Sequence, residues 1–547
     1  MKIGTRGSEL ALWQARRVRA LLQRVTGIDA ELVIIKTAGD KDLETPLAGM
    51  AGKGFFTKEI EDALLAGQID LAVHSLKDLQ TVMPDGLVLG AVPERADRRD
   101  MLLIRPEAFA SDLPLRLKSG AKVGTSSARR VAQLRFLRPD LIVEPLRGNV
   151  PTRVRKLREG QYDAILAASA GLDRLELPLD DFRVYRIPES LLVPAPGQGT
   201  LGLQIRGKDA VTRQVVEKLD SDELREIVYL EREVLRRLEG GCQLALGTAA
   251  EKTENGYRLV TFLGTDQANR PRRVVVNGAD PARIIQSAVS YLRGTPQRHV
   301  SARRGVSVWI TREPERAIAF VDSLAANRFA ITAVPVFAAV EAGDPQMQKR
   351  ALSSLSSYDW VMFTSQVTVR EFKRLMDAQG VNWTGQTRRA AVGKKTARAL
   401  EEAGWKADFV ADVADAASLS EQFVQENRGQ IGKALFPCGQ AAGDDLESGL
   451  AAVGIQFDRL VCYNMIAHPN MTSVIRGLPD PDAVVFTSPQ AARFLMAERP
   501  LSQDTLAVSI GPSTSEALLS LGCPIVYEAF DRSLEGTAEV IDGVFAT

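Results

Sequence analysis

Hydrophobic and polar positions alternate in two rhythms along the first 200 residues. Ser8 stands before a stretch from Glu9 to about Arg24 in which Val18, Leu21, Leu22 and Val25 share one helical face. A capped amphipathic helix is therefore predicted there. Leu32-Val33-Ile34-Ile35 reads as a buried strand. A second helix through Lys58–Leu65 stops near Gly67, and Ile69 to Val73 follows as a strand. The beat recurs at Ala121–Thr125 with a helix from Ser127, and again at Tyr162–Ala168. Such alternation predicts mostly parallel, doubly wound sheets. From about residue 214 the pattern changes to a long helix ending near Leu238, then Gly240-Gly241-Cys242, then strands around Tyr257–Leu263. That is a smaller α+β unit.

Residues 294–305, GTPQRHVSARRG, are polar and basic with no apolar period, and read as a linker. Val306–Ile310 then opens a fresh strand, as a new domain would. Beyond it lies a weak internal repeat. Phe363-Thr364-Ser365-Gln366 precedes Val392-Gly393…Thr396-Ala397, and Phe486-Thr487-Ser488-Pro489 precedes Ile510-Gly511-Pro512-Ser513-Thr514. Two similar α/β lobes facing a cleft would explain the repeat.

A chain of 547 residues is too long for one hydrophobic core. With 45% apolar and 25% charged residues the composition is that of a globular protein. No apolar run is long enough to span a bilayer, and MKIGTRGSEL lacks the apolar stretch of a signal peptide. Four scattered cysteines suit a reducing cytoplasm and argue against a disulfide scaffold or zinc site. Three histidines make a histidine-rich metal centre improbable, so no metal is expected. The formal net charge of +1 argues against nucleic acid as a partner. Any anion site must come from local placement of Arg and Lys.

Two motifs mislead. Gly197-Gln198-Gly199-Thr200-Leu201-Gly202 fits a dinucleotide fingerprint, yet prolines precede it and a strand, not a helix, follows. Gly393-Lys394 resembles the end of a phosphate loop, but Arg388 and Lys395 stand where Gly and Ser or Thr belong. Both readings fail.

Three features carry chemistry. His74-Ser75-Leu76-Lys77-Asp78 follows a strand directly, where ligands collect in open α/β sheets. A carboxylate there can hold N–H donors, serve as a general acid and stabilise positive charge, or Asp78 can merely close a turn. Arg6, Arg129, Arg130, Arg147, Arg153 and Arg174 recur at strand–helix junctions. Helix-start N–H groups with bidentate guanidiniums suit carboxylates, although a solvated helix face would explain any one of them. Cys242 follows two glycines, which gives an unobstructed loop for a nucleophilic thiol. A small buried hydrophobe is the plainer reading of a lone cysteine.

At these residues the chain resembles porphobilinogen deaminase (hydroxymethylbilane synthase) across roughly 1–300. The likeness lies in Thr5-Arg6-Gly7-Ser8 through Leu12-Trp13-Gln14-Ala15, Gly52-Lys53-Gly54-Phe55-Phe56, His74–Asp78, and Gly124-Thr125-Ser126-Ser127. It continues in Leu146-Arg147-Gly148-Asn149-Val150, Gly197-Gln198-Gly199 and Leu238-Glu239-Gly240-Gly241-Cys242-Gln243. The resemblance implies a dipyrromethane cofactor, made from the enzyme's own substrate and joined by a thioether to Cys242. Four porphobilinogens are added in sequence and hydroxymethylbilane is released. By carry-over Asp78 is the catalytic acid, and Lys77, Ser126, Arg129 and Arg130 bind the cofactor. Arg6, Ser8, Gln14, Lys53, Arg147, Asn149, Arg153 and Arg174 bind substrate. Gln80 stands where the family usually has proline, and Pro151 occupies a variable site.

Residues 305–547 resemble uroporphyrinogen-III synthase, through Trp360–Ser365, the Val392–Ala397 turn, Val461-Cys462-Tyr463, Phe486–Pro489 and Ile510–Thr514. This implies cofactor-free closure of hydroxymethylbilane with ring D inverted. Tyr463 would assist loss of hydroxide, or else pack at an interface. Ser365, Thr396, Ser488, Ser513 and Thr514 would bind carboxylates.

The fold expected is α/β. Two periplasmic-binding-protein-like doubly wound lobes (about 1–95 with 190–213, and 96–189) are joined by a cofactor-carrying α+β domain at 214–300. A two-lobed synthase domain follows, with lobes about 306–340 plus 467–547, and 341–466. A cytoplasmic monomer is expected, with porphobilinogen and hydroxymethylbilane as substrates and neither membrane nor nucleic acid as partner. The competing readings are an active deaminase with a silent second half, and a two-lobed anion-binding module.

Overall fold

The computed structural model describes residues 1–37, 57–239, 244–264, 271–294, 305–324, 328–383, 386–411, 419, 422–424, 432–451 and 454–545. The described residues form a mixed α/β structure with four sheets. In the first sheet the order is Glu31–Ile34, Lys2–Thr5, Leu71–Ser75, Leu201–Arg206, Leu87–Ala91. Only Leu201–Arg206 runs against the others. The expected helix spans Glu9–Thr26, capped by the Ser8 hydroxyl, which accepts from the Ala11 N–H, and closed by Gly27 in the left-handed region. Ala15, Val18, Leu21 and Leu22 are buried against the sheet. Val25, predicted to share that face, is 47% exposed because it sits in the last turn, past the sheet's cover.

The second sheet, Ile142–Glu144, Lys122–Gly124, Ala164–Ala168, Asp100–Ile104, Arg183–Arg186, repeats the plan. Here Asp100–Ile104 is the strand of opposite sense. As expected, the strand Leu201–Arg206, not a helix, follows the Gly197-Gln198-Gly199 turn. Gly199 has φ of 84°, and a Cβ there would come within 2.5 Å of the Ala96 carbonyl oxygen. The two glycines thus serve a tight crossing between the first two sheets.

The third sheet departs from the linker-separated picture. Leu246–Thr253, Gly256–Leu263 and Arg272–Gly278 form an antiparallel meander, as the α+β unit requires. Its last strand then pairs antiparallel with Ile525–Glu528. The sheet continues through Leu506–Ser509, Ala483–Phe486, Val306–Ile310 and Phe329–Ala333 to eight strands. One apolar core accordingly holds Leu230, Val276 and Ile284 together with Phe320, Val508, Tyr527 and Ile541.

Two compact units result, Met1–Ala333 with Asp480–Thr547, and Val334–Pro479. The second carries the fourth sheet, a six-stranded one in which Phe337–Glu341 alone is antiparallel to its neighbour. No helix among the described residues is long and apolar enough to cross a membrane. Among those residues there is also no group of His, Cys, Asp and Glu that could hold a metal ion.

Candidate functional site

The strand Leu71–Ser75 delivers the His74–Asp78 motif into a single 3-10 turn, Leu76–Asp78. Leu76 and Leu79 are buried and pin the turn, while Asp78 stays exposed. His74 points inward, 3.1 Å from Gln204 Oε1. Burial pushes its pKa down to about 4, so this histidine is a neutral structural residue. Gln14 reaches across from the first helix and donates to the Ser75 hydroxyl at 2.8 Å. Lys77 lies half-buried beside the turn and donates to Gln198 Oε1 at 3.4 Å. Burial holds its ammonium down to about 8, with the charges of Asp78, Arg130, Asp100 and Arg129 acting on it.

The facing groups come from the second sheet. Arg129 and Arg130 open the helix Ala128–Leu137, and both are buried. Each donates to the buried Asp100, Arg129 Nη1 at 2.7 Å and Arg130 Nη2 at 2.7 Å. Burial alone would raise the Asp100 carboxyl, yet the two guanidiniums hold it well below the usual carboxylate range. Gln198 donates to the same carboxylate at 3.1 Å, so one amide joins Lys77 to Asp100. Ser126 is bracketed by Leu146, donating to its carbonyl at 2.9 Å and accepting from its N–H at 3.0 Å. Its hydroxyl therefore fixes the loop that carries Arg147. Asn149 caps the helix Val150–Arg158, and Pro151 falls in the first turn, where its missing N–H costs nothing.

Arg153, on that helix, donates to the Gly148 carbonyl at 2.7 Å. Burial, followed by the charges of Arg130 and Arg147, pushes it down to about 10, with Asp78 acting in the opposite sense. Lys77, Arg129, Arg130, Arg147 and Arg153 thus share one electrostatic neighbourhood with Asp78. The charge of Asp78 reaches Lys77 and Arg153, while Arg129 and Arg130 are paired with Asp100. Arg129 Nε and Arg147 Nη2 are buried without a hydrogen-bond partner among the described residues.

Other expected residues sit apart from this group. Arg174 donates to the Gly199 carbonyl at 2.7 Å and lies 5.5 Å over the Trp13 ring, which ties its helix Ser169–Leu175 to the helix Glu9–Thr26 and to the Gly199 turn. Ser8 serves as the helix cap. Arg6 is near enough to His74 for its charge to act there. Lys53 and Cys242 lie outside the described residues.

Sequence reading missed Asp100, Gln198 and Glu231. Glu231 is fully buried, takes a bidentate pair from Arg95 at 2.9 Å and accepts from the N–H groups of Gly197 and Ala250. Asp100 had a usable signal, since a carboxylate opening the apolar run Asp100–Ile104 demands a buried partner.

In the Val334–Pro479 unit, Ser365 caps the helix Gln366–Ala378 and lies 2.8 Å from Thr368 Oγ1. That hydroxyl is 3.4 Å from the Tyr463 hydroxyl. The Tyr463 ring packs over Gly439, where a Cβ would meet it at 3.0 Å. Thr396 is buried in the first turn of Lys394–Glu402. In the other unit Ser488 caps Pro489–Glu498, and Ser513 and Thr514 open Pro512–Ser520, the first exposed and the second buried. Each expected hydroxyl therefore stands at a helix start, where free N–H groups favour anions.

Residues 1–214 match the family model described as "Porphobilinogen deaminase, dipyromethane cofactor binding domain". The chain is 48% identical over 261 residues to a porphobilinogen deaminase of Nitratiruptor sp., covering 48% of this chain and 81% of that one. The chain belongs to the porphobilinogen deaminase family. A Geobacter sulfurreducens member is 43% identical over 279 residues, covering 51% of this chain and 86% of its own length. Residues 319–539 match the model for uroporphyrinogen-III synthase. A solved uroporphyrinogen III synthase of Thermus thermophilus, a mutant, is 25% identical with a TM-score of 0.31, covering 40% of this chain and 90% of its own. The two family matches make the chain a bifunctional enzyme of tetrapyrrole synthesis, a deaminase followed by a synthase. A silent second half and a plain anion-binding module are not favoured.

The deaminase site fits a dipyrromethane. An orphaned buried guanidinium N–H costs about 1–3 kcal/mol until an acceptor arrives, and Arg129 and Arg147 each present one. The depressed ammonium of Lys77 gives a pH signature. Its charge is present below about 8 and is lost as pH rises through that value. With porphobilinogen, kcat/KM is expected to fall through this range in the native enzyme and to stay flatter in Lys77→Arg, because guanidinium keeps its charge. Identical pH profiles for the two proteins would remove Lys77 from acid-group binding.

Proposed function

We propose that Asp78 is the catalytic acid of the deaminase half and that the surrounding cations hold its polyacid ligands. Porphobilinogen carries an acetate and a propionate, so an oligomer of it accumulates two negative charges per ring. The exposed Asp78, whose charge reaches Lys77 and Arg153, with Arg129, Arg130 and Arg147 acting on those two cations, is the observation that supports this reading. In the reaction the substrate's aminomethyl C–N bond breaks and its electron pair leaves with nitrogen as ammonia. Asp78 supplies the proton the leaving group needs, and its carboxylate then steadies the positive charge left on the pyrrole. A new C–C bond forms at a pyrrole α-carbon, whose proton departs. The dipyrromethane, when bound, supplies the first such carbon, held through Cys242 and the carboxylate contacts of Lys77, Ser126, Arg129 and Arg130. Arg6, Ser8, Gln14, Lys53, Arg147, Asn149, Arg153 and Arg174 serve incoming substrate. Ser8 and Arg174 act chiefly by fixing the first helix and the lobe crossing.

In the synthase half, hydroxymethylbilane loses its hydroxyl, forms a spiro intermediate and closes with ring D inverted. The Tyr463 hydroxyl, linked through Thr368 to the Ser365 helix cap, assists departure of hydroxide. Helix starts at Ser365, Thr396, Ser488, Ser513 and Thr514 bind the carboxylates. The product isomer tests this directly. The intact chain supplied with porphobilinogen is expected to yield uroporphyrinogen III, resolved from isomer I by chromatography. Isomer I alone would sink the synthase reading.

A further inference from the structure

We propose that the deaminase half completes the synthase half, with Arg258 and Asn277 acting as positioning residues for the synthase helix Pro512–Ser520. The inference rests on reading Ser513 and Thr514 as carboxylate-binding groups of the synthase. Strand pairing between the halves runs Val275↔Glu528, Val276↔Tyr527, Asn277↔Val526 and Gly278↔Ile525. At this seam lies a buried polar knot. Glu528, 1% exposed, accepts from Arg258 Nη2 at 2.7 Å, from Asn277 Nδ2 at 3.2 Å and from the Ser515 hydroxyl at 2.7 Å. Asn277 Nδ2 also lies 3.2 Å from the Ser515 hydroxyl, which is 2.7 Å from that of Ser509.

Ser515 belongs to the first turn of its helix and follows Ser513 and Thr514 directly. A second link to the same helix runs from Asn255 Nδ2 to Glu516 Oε2 at 2.8 Å. Removing a carboxylate from water is costly unless a cation and hydrogen bonds replace the solvent. Among the described residues the ion pair to Glu528 comes from Arg258, a deaminase side chain. The synthase strand thus carries a buried charge that the other half neutralises. Through Ser515 that charge sets the start of the helix whose N–H groups would face a substrate acid group. Apolar packing is continuous across the seam as well, with Val276, Ile284 and Tyr291 in one core with Tyr527, Ile541 and Val544.

The test uses the full chain, with hydroxymethylbilane supplied for the synthase step and porphobilinogen consumption read separately. Asn277→Leu and Arg258→Met are each expected to leave porphobilinogen consumption unchanged. Each should raise KM for hydroxymethylbilane by about tenfold with a smaller change in kcat, and shift product toward isomer I. The pair Arg258→Met with Glu528→Gln removes both charges and should restore most of the isomer III, an effect that simple loss of fold would not produce. A protease site inserted within 295–304 gives a second readout on the otherwise native chain. The cut halves are expected to co-elute. Separate elution of the halves, or unchanged isomer III and KM in both single variants, would overturn the inference. A native chain yielding only isomer I would fail the synthase reading itself, and this inference with it, before any variant is made.

Discussion

Asp78→Ala is expected to leave the chain folded and to slow porphobilinogen turnover by about two to four orders of magnitude, the range of a lost general acid. Folding should survive because the side chain is exposed and the turn is held by buried Leu76 and Leu79. Arg232 adds to that hold, donating to the carbonyls of Leu76, Leu79 and Gln80. The backbone that presents Asp78 is therefore independent of its carboxylate. Chemistry should suffer because the neighbouring ionisable groups are cations, Lys77 and Arg153 among them. Without the aspartate, positive charge developing on the substrate would lie near Lys77 and Arg153 with no carboxylate on that turn to offset it. Ammonia release, measured beside a thermal melt, checks both halves of the expectation. A folded variant with near-native turnover would take Asp78 out of the mechanism.

The intact protein is expected to carry the added mass of two pyrrole units on the peptide holding Cys242, and Cys242→Ser is expected to lack both adduct and deaminase activity. A thioether requires a thiolate at neutral pH. Burial pushes the Cys462 thiol up to about 12 and the Cys523 thiol up to about 11, and raises Cys438 as well. A thiol with a raised pKa is protonated at neutral pH and gains thiolate only in strong alkali, so these three are poor nucleophiles. Cys242 is the remaining one of the four cysteines. It follows the helix Asp222–Arg237 and precedes the strand Leu246–Thr253, and Glu231 fixes both by its ties to Arg95, Gly197 and Ala250. Those ties fasten the elements flanking Cys242 to the segment carrying Gln198, the residue that meets Lys77. Peptide mass mapping decides the matter. An adduct on another cysteine, or an unmodified enzyme with full activity, would defeat the assignment.

Much of the local structure was legible in the chain. The Ser8 cap, the helix Lys58–Leu65 and the strand Val306–Ile310 follow from periodicity and end signals alone, since a helical face or a pleat is written within a few residues. The motif His74–Asp78 at a strand end located the exposed aspartate for the same reason. Side-chain function was harder to read where residues of one kind have different partners. Arg129 and Arg130 look like Arg153 in sequence, yet they spend hydrogen bonds on Asp100 while Arg153 holds the Gly148 carbonyl. Arg174 went to Trp13 and Gly199.

By itself the sequence determined the family, the two activities and the repertoire of charged groups, because motif identity and short-range spacing are local properties. Tertiary structure alone decided which cations are neutralised internally, as Arg129 and Arg130 are by Asp100, and that the two halves share a sheet. Those outcomes depend on partners far apart in the chain. Lys77 meets Gln198 across 121 residues, and Arg258 meets Glu528 across 270. Strand-edge pairing adds a further reason, since it is made by backbone N–H and C=O groups that every residue but proline carries, so the amino-acid pattern leaves no mark of it.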